Sequence, residues 1–251
     1  GRDAGDDQCE QAWRSAHGSP IMPSPPQRRL TPAQPAARRS SWFAAPSATG
    51  GSPLGFASYA LEPVGLFVQK YGGTSVADPD RIRACADNVA ITRGHGNDVV
   101  VVVSAMGKAT DNLIALADSV SPTQSGREMD MLLTTGERVT AALMTMALHD
   151  RGIDAISFTG SQVGIITDTT HRKAKIVEVK GDRVRASLAE GKVCVIAGFQ
   201  GVSTEKEITT MGRGASDLTA SALAQAMGAD ACEIYTDVDG VFTADPRIVP
   251  Q

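Results

Sequence analysis

Residues 66–107 read LFVQKYGGTSVADPDRIRACADNVAITRGHGNDVVVVVSAMG, and this stretch decides the fold. Its first six residues are strand-like, and the five valines at 99–103 are typical of a buried strand in a parallel sheet. Between them, Asp78 and Pro79 supply an N-cap and a first helical residue. We expect this helix to bury one set of small and apolar side chains: Ile82, Cys85, Ala86 and Val89. The stretch therefore predicts a strand, a helix and a second strand.

The alternation of strands and helices continues toward the end of the sequence. Further strands are predicted at 155–158, 164–167, 176–179, 193–197 and 232–236, and shorter helices at 111–119, 184–190 and 216–227. A long helix is predicted over 127–149, with an apolar stripe of Met129, Leu132, Leu133, Gly136, Val139, Leu143 and Ala147. This order predicts an α/β fold, a three-layer α/β/α sandwich with a mostly parallel central sheet.

Composition excludes several classes of protein. The chain has 251 residues, of which 42% are apolar and 21% charged, and a formal net charge of -4. This charge gives no overall attraction to nucleic acid or to an anionic membrane, and the longest apolar run, at 99–103, is far too short to cross a bilayer. The four cysteines lie far apart, which argues against disulfides and zinc and favours a reducing compartment, the cytoplasm.

The first 62 residues differ in composition from the rest. They contain eight of the 13 prolines, six arginines and no lysine, without apolar periodicity. We expect 1–62 to be a disordered or leader segment and 63–251 to form the folded domain. A plastid location is the alternative if the segment is a transit peptide, although Asp3, Asp6, Asp7 and Glu10 argue against a targeting function.

Lys70, Gly72 and Gly73 stand where the first predicted strand ends. Ligands of open parallel sheets bind beyond the carboxyl ends of the strands. A lysine supplies charge for phosphate oxygens, and glycines let backbone amides approach an anion. The alternative is a tight turn with a solvated lysine. Ser104 follows the second strand and could contact a ligand or serve only the turn.

The turn GRGASD at 212–217 is a stronger candidate for anion binding. It places Arg213 between two glycines, and Ser216 and Asp217 where a helix begins. An arginine can hold a carboxylate or phosphate in a bidentate manner, and a helix N-terminus favours an anion. An ordinary helix cap with a solvated arginine is the alternative.

Three carboxylates complete the candidate site residues. Asp237 and Asp239 end the last predicted strand, an arrangement suited to a Mg²⁺–nucleotide complex or to ribose hydroxyls, with an Asx turn as the alternative. Glu137 follows Gly136 in the long helix and could bind a substrate ammonium or simply face solvent. P-loop, Rossmann, zinc-protease and nucleophile-elbow motifs are absent, and the four histidines form no catalytic spacing.

With these turns in order, the chain resembles the aspartate kinases of the amino-acid-kinase family. The resemblance rests on five blocks: VQKYGGTSV (68–76), VVSAMG (102–107), TTGERVTAAL (134–143), TTMGRGASDLTA (209–220) and EIYTDVDGVFTADPRIVP (233–250). It implies the family fold, also seen in carbamate kinase, and transfer of the ATP γ-phosphoryl group to the side chain of L-aspartate. This reaction opens the route to lysine, threonine and methionine.

The implied chemistry agrees with the residue types present. A free aspartate carboxyl has a pKa of about 3.9, so it is ionised at neutral pH and requires no general base. The site must instead hold two anions in line and neutralise charge in the transition state. The expected co-substrate is ATP with Mg²⁺, without a tightly bound cofactor and without a metal ligand assigned in the chain.

The resemblance also implies residue roles. Lys70 would bind the phosphates with Gly72 and Gly73, and Asp217 would orient Lys70, which makes Lys70 and Asp217 the expected catalytic pair. The residues expected to bind L-aspartate are Glu137 for the ammonium, Arg213 for the α-carboxylate, and Ser104 and Ser216. The residues expected to line the ATP pocket are Thr236, Asp237, Asp239, Phe242 and Arg247.

The sequence departs from the family pattern in two places. Ala215 replaces the second glycine of the Gly-Gly pair in the usual GRGGSD, and its Cβ would cause strain only at positive φ. Family members also continue past PRIVP with more kinase domain and paired ACT domains, so we expect a C-terminally truncated catalytic domain. It would form a homo-oligomer or pair with an ACT-containing chain. A non-catalytic nucleotide-binding or regulatory fragment, or a sister kinase with another acceptor, are the alternatives.

Overall fold

The computed structural model describes residues 65–212 and 214–237. The predictions for residues 1–62 lie outside these ranges. The strands are β1 (Leu66–Tyr71), β2 (Asp98–Val103), β3 (Ala155–Phe158), β4 (Ile165–Thr167), β5 (Ile176–Val179), β6 (Val193–Ala197), β7 (Gln200–Ser203), β8 (Ile208–Thr210) and β9 (Ala231–Tyr235). The helices are α1 (Pro79–Gly94), α2 (Ala109–Val120), α3 (Gly126–His149), α4 (Gly160–Val163), α5 (Asp182–Ala189) and α6 (Ala215–Met227).

Within the described residues, the central sheet has five strands in the order β3-β6-β2-β1-β9, and each neighbouring pair is parallel. The five valines of β2 are fully buried, as their apolar run predicts, because strands and helices cover them on every side. Since all five strands run in one direction, their carboxyl ends form a single edge, and the residues that follow β1, β2 and β9 meet there.

Helices cover both faces of this sheet. On one face, α1 and α3 pack on the odd-numbered valines of β2 through side chains such as Val89 and Met144. On the other face, α5 and α6 pack on the even-numbered valines through Leu188 and Leu223. The three-layer α/β/α sandwich with a mostly parallel sheet is therefore confirmed.

Local signals predicted α1 well. The Asp78 side chain accepts a hydrogen bond from the Arg81 amide at 2.9 Å, and Pro79 is the first helical residue. The buried residues of α1 are those that the sequence predicts: Ile82, Cys85, Ala86 and Val89.

The predicted apolar stripe of α3 is partly wrong. Val139 and Leu143 are 53% and 37% exposed, whereas Thr140 and Met144 are fully buried. The helix has apolar side chains on more than one face, so apolarity alone does not identify the face that meets the sheet. In α2, by contrast, none of the twelve residues is buried.

A second, four-stranded sheet has the order β5-β4-β7-β8. Its β7 and β8, and the one-turn helix α4, are not predicted by the sequence, because short polar segments such as QGVS carry no apolar periodicity. The sheet is mixed: β4 pairs parallel with β7, and the two outer pairs are antiparallel. No described helix has the length and apolarity needed to span a membrane.

Candidate active site

A cavity of about 770 Å³ opens at the carboxyl edge of the central sheet. Lys70 from the end of β1, Ser104 after β2, and Ala215 and Ser216 at the start of α6 line it, as the position of ligands in open parallel sheets predicts. Glu137 contributes a wall from α3. The structure therefore brings side chains from four separate segments of the sequence into one cavity.

Lys70, which lines this cavity, forms an ion pair with Asp217. The distance from Lys70 Nζ to Asp217 Oδ1 is 2.6 Å, and the lysine is only 7% exposed. Asp217 Oδ1 is buried, and the Lys70 ammonium is its partner. Because Lys70 is buried, its side chain has few accessible rotamers, and the ion pair with Asp217 holds the ammonium in one position.

The two glycines after β1 serve different purposes. The Gly72 amide donates to the Tyr235 carbonyl at 3.2 Å, so this amide is already occupied by β9. Gly73 lines the cavity, and a Cβ atom at this position would lie 2.9 Å from the Ala105 carbonyl oxygen. Gly73 is therefore required by the close approach of two turns. Its predicted contact with phosphate stays a prediction.

Glu137 is buried rather than solvated, with an exposure of 4%. Its Oε2 has no hydrogen-bond partner among the described residues. Burial raises the pKa of this carboxyl to about 7, although the backbone amides of Glu137 and Ala105 partly oppose the shift. Beside it, a Cβ at Gly136 would lie 2.9 Å from the Ala105 Cβ, so glycine allows α3 to reach the turn after β2.

Ala215 causes no backbone strain at the start of α6. It is the first residue of the helix and is not among the described non-glycine residues with positive φ. The left-handed positions of this turn are Gly212 and Gly214, with φ of 91° and 77°. Alanine is thus accommodated at a position where the family usually has glycine. Its methyl group lies in the cavity wall.

The predicted nucleotide-binding residues are only partly within the described ranges. Thr236 and Asp237 are exposed and do not line the cavity. They follow β9, whose Tyr235 pairs with Tyr71 of β1, so they lie beside the strand end that carries Lys70. The remaining predicted site residues, Arg213, Asp239, Phe242 and Arg247, lie outside the described residues.

Among the residues of the cavity wall that sequence reasoning missed are His171, Arg172, Lys173 and Phe199. Arg172 and Phe199 have φ of 65° and 68°, a left-handed conformation that is uncommon for residues other than glycine. Residues with strained backbone concentrate at functional sites. The loops that contain Arg172 and Phe199 are therefore candidates for ligand contact. The loop around His171 contains no glycine-rich or catalytic motif, and the glycines beside Phe199, Gly198 and Gly201, do not by themselves indicate a site.

The chain is similar in sequence and in structure to known proteins. The model of the amino acid kinase family matches residues 65–251. The aspartokinase of Mycolicibacterium smegmatis is 61% identical over 186 residues, which are 74% of this chain and 44% of that protein. The chain thus spans less than half the length of this relative.

Two solved structures are similar in fold and sequence. The aspartate kinase from Synechocystis has a TM-score of 0.63 and 54% identity, over 74% of this chain and 30% of its own. The E. coli aspartokinase III solved in complex with aspartate and ADP has a TM-score of 0.63 and 27% identity, over 73% of this chain and 52% of its own.

Proposed function

Because this chain belongs to the amino acid kinase family, we propose that it carries the catalytic site of an aspartate kinase. The proposed reaction transfers the γ-phosphoryl group of MgATP to the side-chain carboxylate of L-aspartate and forms 4-phospho-L-aspartate. The observation that carries the proposal is one cavity with a buried cation, Lys70, and a buried carboxyl, Glu137, whose Oε2 has no hydrogen-bond partner among the described residues. Its aspartokinase relatives support the choice of acceptor.

Lys70 is the proposed catalytic residue for phosphoryl transfer. The acceptor carboxylate is already ionised at neutral pH, so the protein must bring two anions together rather than remove a proton. A fixed ammonium in this cavity neutralises the negative charge that accumulates between them. Asp217 holds this ammonium at 2.6 Å and therefore sets its direction before either substrate binds.

Glu137 is the proposed binding site of the acceptor ammonium. An ammonium would supply the partner that Glu137 Oε2 lacks, and it would favour the ionised carboxylate. Ser104 and Ser216 line the same cavity and supply hydroxyl groups for the acceptor. Arg213 is proposed to bind the α-carboxylate.

The nucleotide is proposed to bind on the β9 side of Lys70. Thr236 and Asp237 lie at this strand end, and Asp239, Phe242 and Arg247 follow them in sequence. A relative solved with both aspartate and ADP supports the presence of two neighbouring subsites. The Mg²⁺ ion would arrive with the phosphates, since the described residues contain no cluster of metal-ligating side chains.

The wider setting of the reaction is also a proposal. The product would enter the synthesis of lysine, threonine and methionine in the cytoplasm. We also propose that the protein acts as a homo-oligomer or together with an ACT-containing chain.

The test is L-aspartate-dependent and Mg²⁺-dependent formation of ADP from ATP by the 251-residue chain. We expect Lys70→Ala to reduce kcat by at least about 100-fold while the protein stays folded, because the transition-state charge loses its fixed cation. Lys192→Ala is the matched control, since this lysine pairs with Glu190 near the amino end of β6.

Each result has a distinct meaning. An unchanged turnover number in Lys70→Ala would remove Lys70 from the mechanism. ATP binding without turnover in the parent chain would indicate a nucleotide-binding module, and turnover with a different acceptor would indicate a sister kinase of the same fold.

A further inference from the structure

The loop between β4 and β5 is fixed to α3 by a buried carboxylate that the proposed mechanism does not use. Asp130 has no exposed surface, and its Oδ2 lies 2.7 Å from His171 Nδ1. The Arg172 amide donates to both of its oxygens at 3.1 and 3.2 Å, and the Thr210 hydroxyl donates to Oδ1 at 2.5 Å. Three hydrogen-bond donors on two segments therefore converge on one carboxylate.

The loop is also closed by its own backbone and by close packing. The Asp168 amide donates to the Lys175 carbonyl, and the Ala174 amide donates to the Thr210 carbonyl, both at 3.0 Å. A Cβ at Gly126 would lie 2.9 Å from the His171 Cβ, so the loop presses on the first turn of α3. The position of His171 is consequently fixed by the fold.

His171 has one ring nitrogen left for a ligand. Nδ1 is bonded to Asp130, whereas Nε2 forms no hydrogen bond with a described residue, and the residue lines the cavity. In its protonated form the ring carries a hydrogen on each nitrogen, so Nε2 is left to donate to a carboxylate. The neighbouring Arg172 and Lys173 line the cavity too and make its potential more positive at this end.

The α3 face that holds His171 through Asp130 also carries Glu137. Asp130 and Glu137 are seven residues apart on α3, which places them on the same face about 10 Å apart along the axis. Leu133 lies between them and also lines the cavity. An amino acid whose ammonium lies at Glu137 would thus extend its carboxylate toward His171.

We propose that His171 is a binding residue for the acceptor, held in place by Asp130, and that its Nε2 donates a hydrogen bond to a carboxylate of the bound amino acid. Arg172 and Lys173 strengthen this contact through their positive charge. The inference rests on the proposed function, and it adds a residue to the acceptor site that no sequence motif indicates.

Two substitutions of one residue separate binding from anchoring. His171→Asn keeps a donor at the position of Nδ1 and so keeps the bond to Asp130, but it has no group that reaches the position of Nε2. His171→Ala removes both. His149→Asn is the matched control, because His149 lies at the far end of α3 and bonds to the Ala155 carbonyl.

The measurement is calorimetric titration of each protein with L-aspartate and, separately, with ADP and Mg²⁺, together with urea unfolding. We expect His171→Asn to weaken L-aspartate binding about tenfold, the usual effect of losing one charged hydrogen bond. Its affinity for ADP should stay within about twofold, and its unfolding midpoint should stay near that of the parent. His171→Ala should weaken L-aspartate binding and also lower the midpoint.

The results distinguish the inference from the function on which it rests. If the parent chain binds no L-aspartate, the proposed function fails, and the acceptor role of His171 fails with it. If the parent binds L-aspartate and His171→Asn binds it equally well, His171 only anchors the loop and the inference is overturned while the proposed function stands.

Discussion

Glu137 is a carboxyl group whose burial opposes its ionisation. It has lost water, its Oε2 has gained no partner among the described residues, and its pKa is raised to about 7. In the unfolded chain the same group would have its ordinary pKa of 4.5. The folded protein therefore retains a proton between these two pH values that the unfolded chain has lost.

This difference predicts how stability depends on pH. Because the folded state binds more protons between pH 4.5 and 7, the contribution of Glu137 to stability decreases as the pH rises through that range. We expect Glu137→Gln to stabilise the protein above pH 7 by roughly 3–3.5 kcal/mol, at about 1.4 kcal/mol per unit of pKa shift. Below pH 4.5 this gain should vanish. Urea unfolding near pH 4 and pH 8 measures both values.

Glu205→Gln is the control for this experiment, because Glu205 is exposed in the turn between β7 and β8. Its effect on unfolding should not differ between the two pH values. An equal gain for Glu137→Gln at both pH values would mean that packing, and not ionisation, determines its cost.

At the scale of single residues, the sequence was sufficient to predict site residues that follow a strand or begin a helix. Lys70, Ser104 and Ser216 are of this kind, and they do line one cavity. It could not predict His171, because the position of His171 depends on Asp130, which is 41 residues away in sequence. Long-range hydrogen bonds of buried polar groups leave no local pattern.

At the scale of elements, the apolar strands and capped helices were predictable and the small second sheet was not. The contact between α4 and β7 shows why. A Cβ on Gly160 would lie 2.0 Å from the Gln200 carbonyl oxygen, so α4 and β7 approach each other at backbone distance. The local sequence does not predict this contact, because glycine is also common in ordinary turns.

Gly160→Ala is therefore expected to destabilise the protein by about 3 kcal/mol, since a methyl group in this contact must displace backbone. Gly94→Ala is the matched control: its Cβ would meet no atom within 4 Å at the end of α1. We expect this control to be neutral or to stabilise by up to about 1 kcal/mol. Thermal and urea unfolding of the two variants measure the difference. Equal stability of both would show that α4 can move away from β7.

At the scale of the whole molecule, parallel pairing brings distant residues together. In register, Lys70 pairs with Val102 on one side and with Ile234 on the other. The segments that follow these three strands must therefore meet at the same edge. The sequence was sufficient to predict this edge from the order of its strands. It was insufficient to predict the opposite wall, which α2, α3 and the loop after β4 supply.

Burial predicts where the molecule opens most readily. The valines of β2 are fully buried in the middle of the sheet, whereas α2 has no buried residue. We expect backbone amides of α2 to exchange with deuterium well before those of β2, because little apolar surface must be exposed to open α2. Hydrogen exchange followed by mass spectrometry measures both segments at once. Equal protection would indicate that α2 opens only with the entire domain.

Because α2 buries none of its residues, it can change in sequence more freely than the other helices that line the cavity. Thr110 and Ile114 from this helix form part of the cavity wall, yet the core does not depend on either side chain. Substitutions here can reshape the space offered to a small molecule at little cost in folding free energy. Variation in what the pocket accepts can therefore arise on α2 first, while the valine strand beneath stays unchanged.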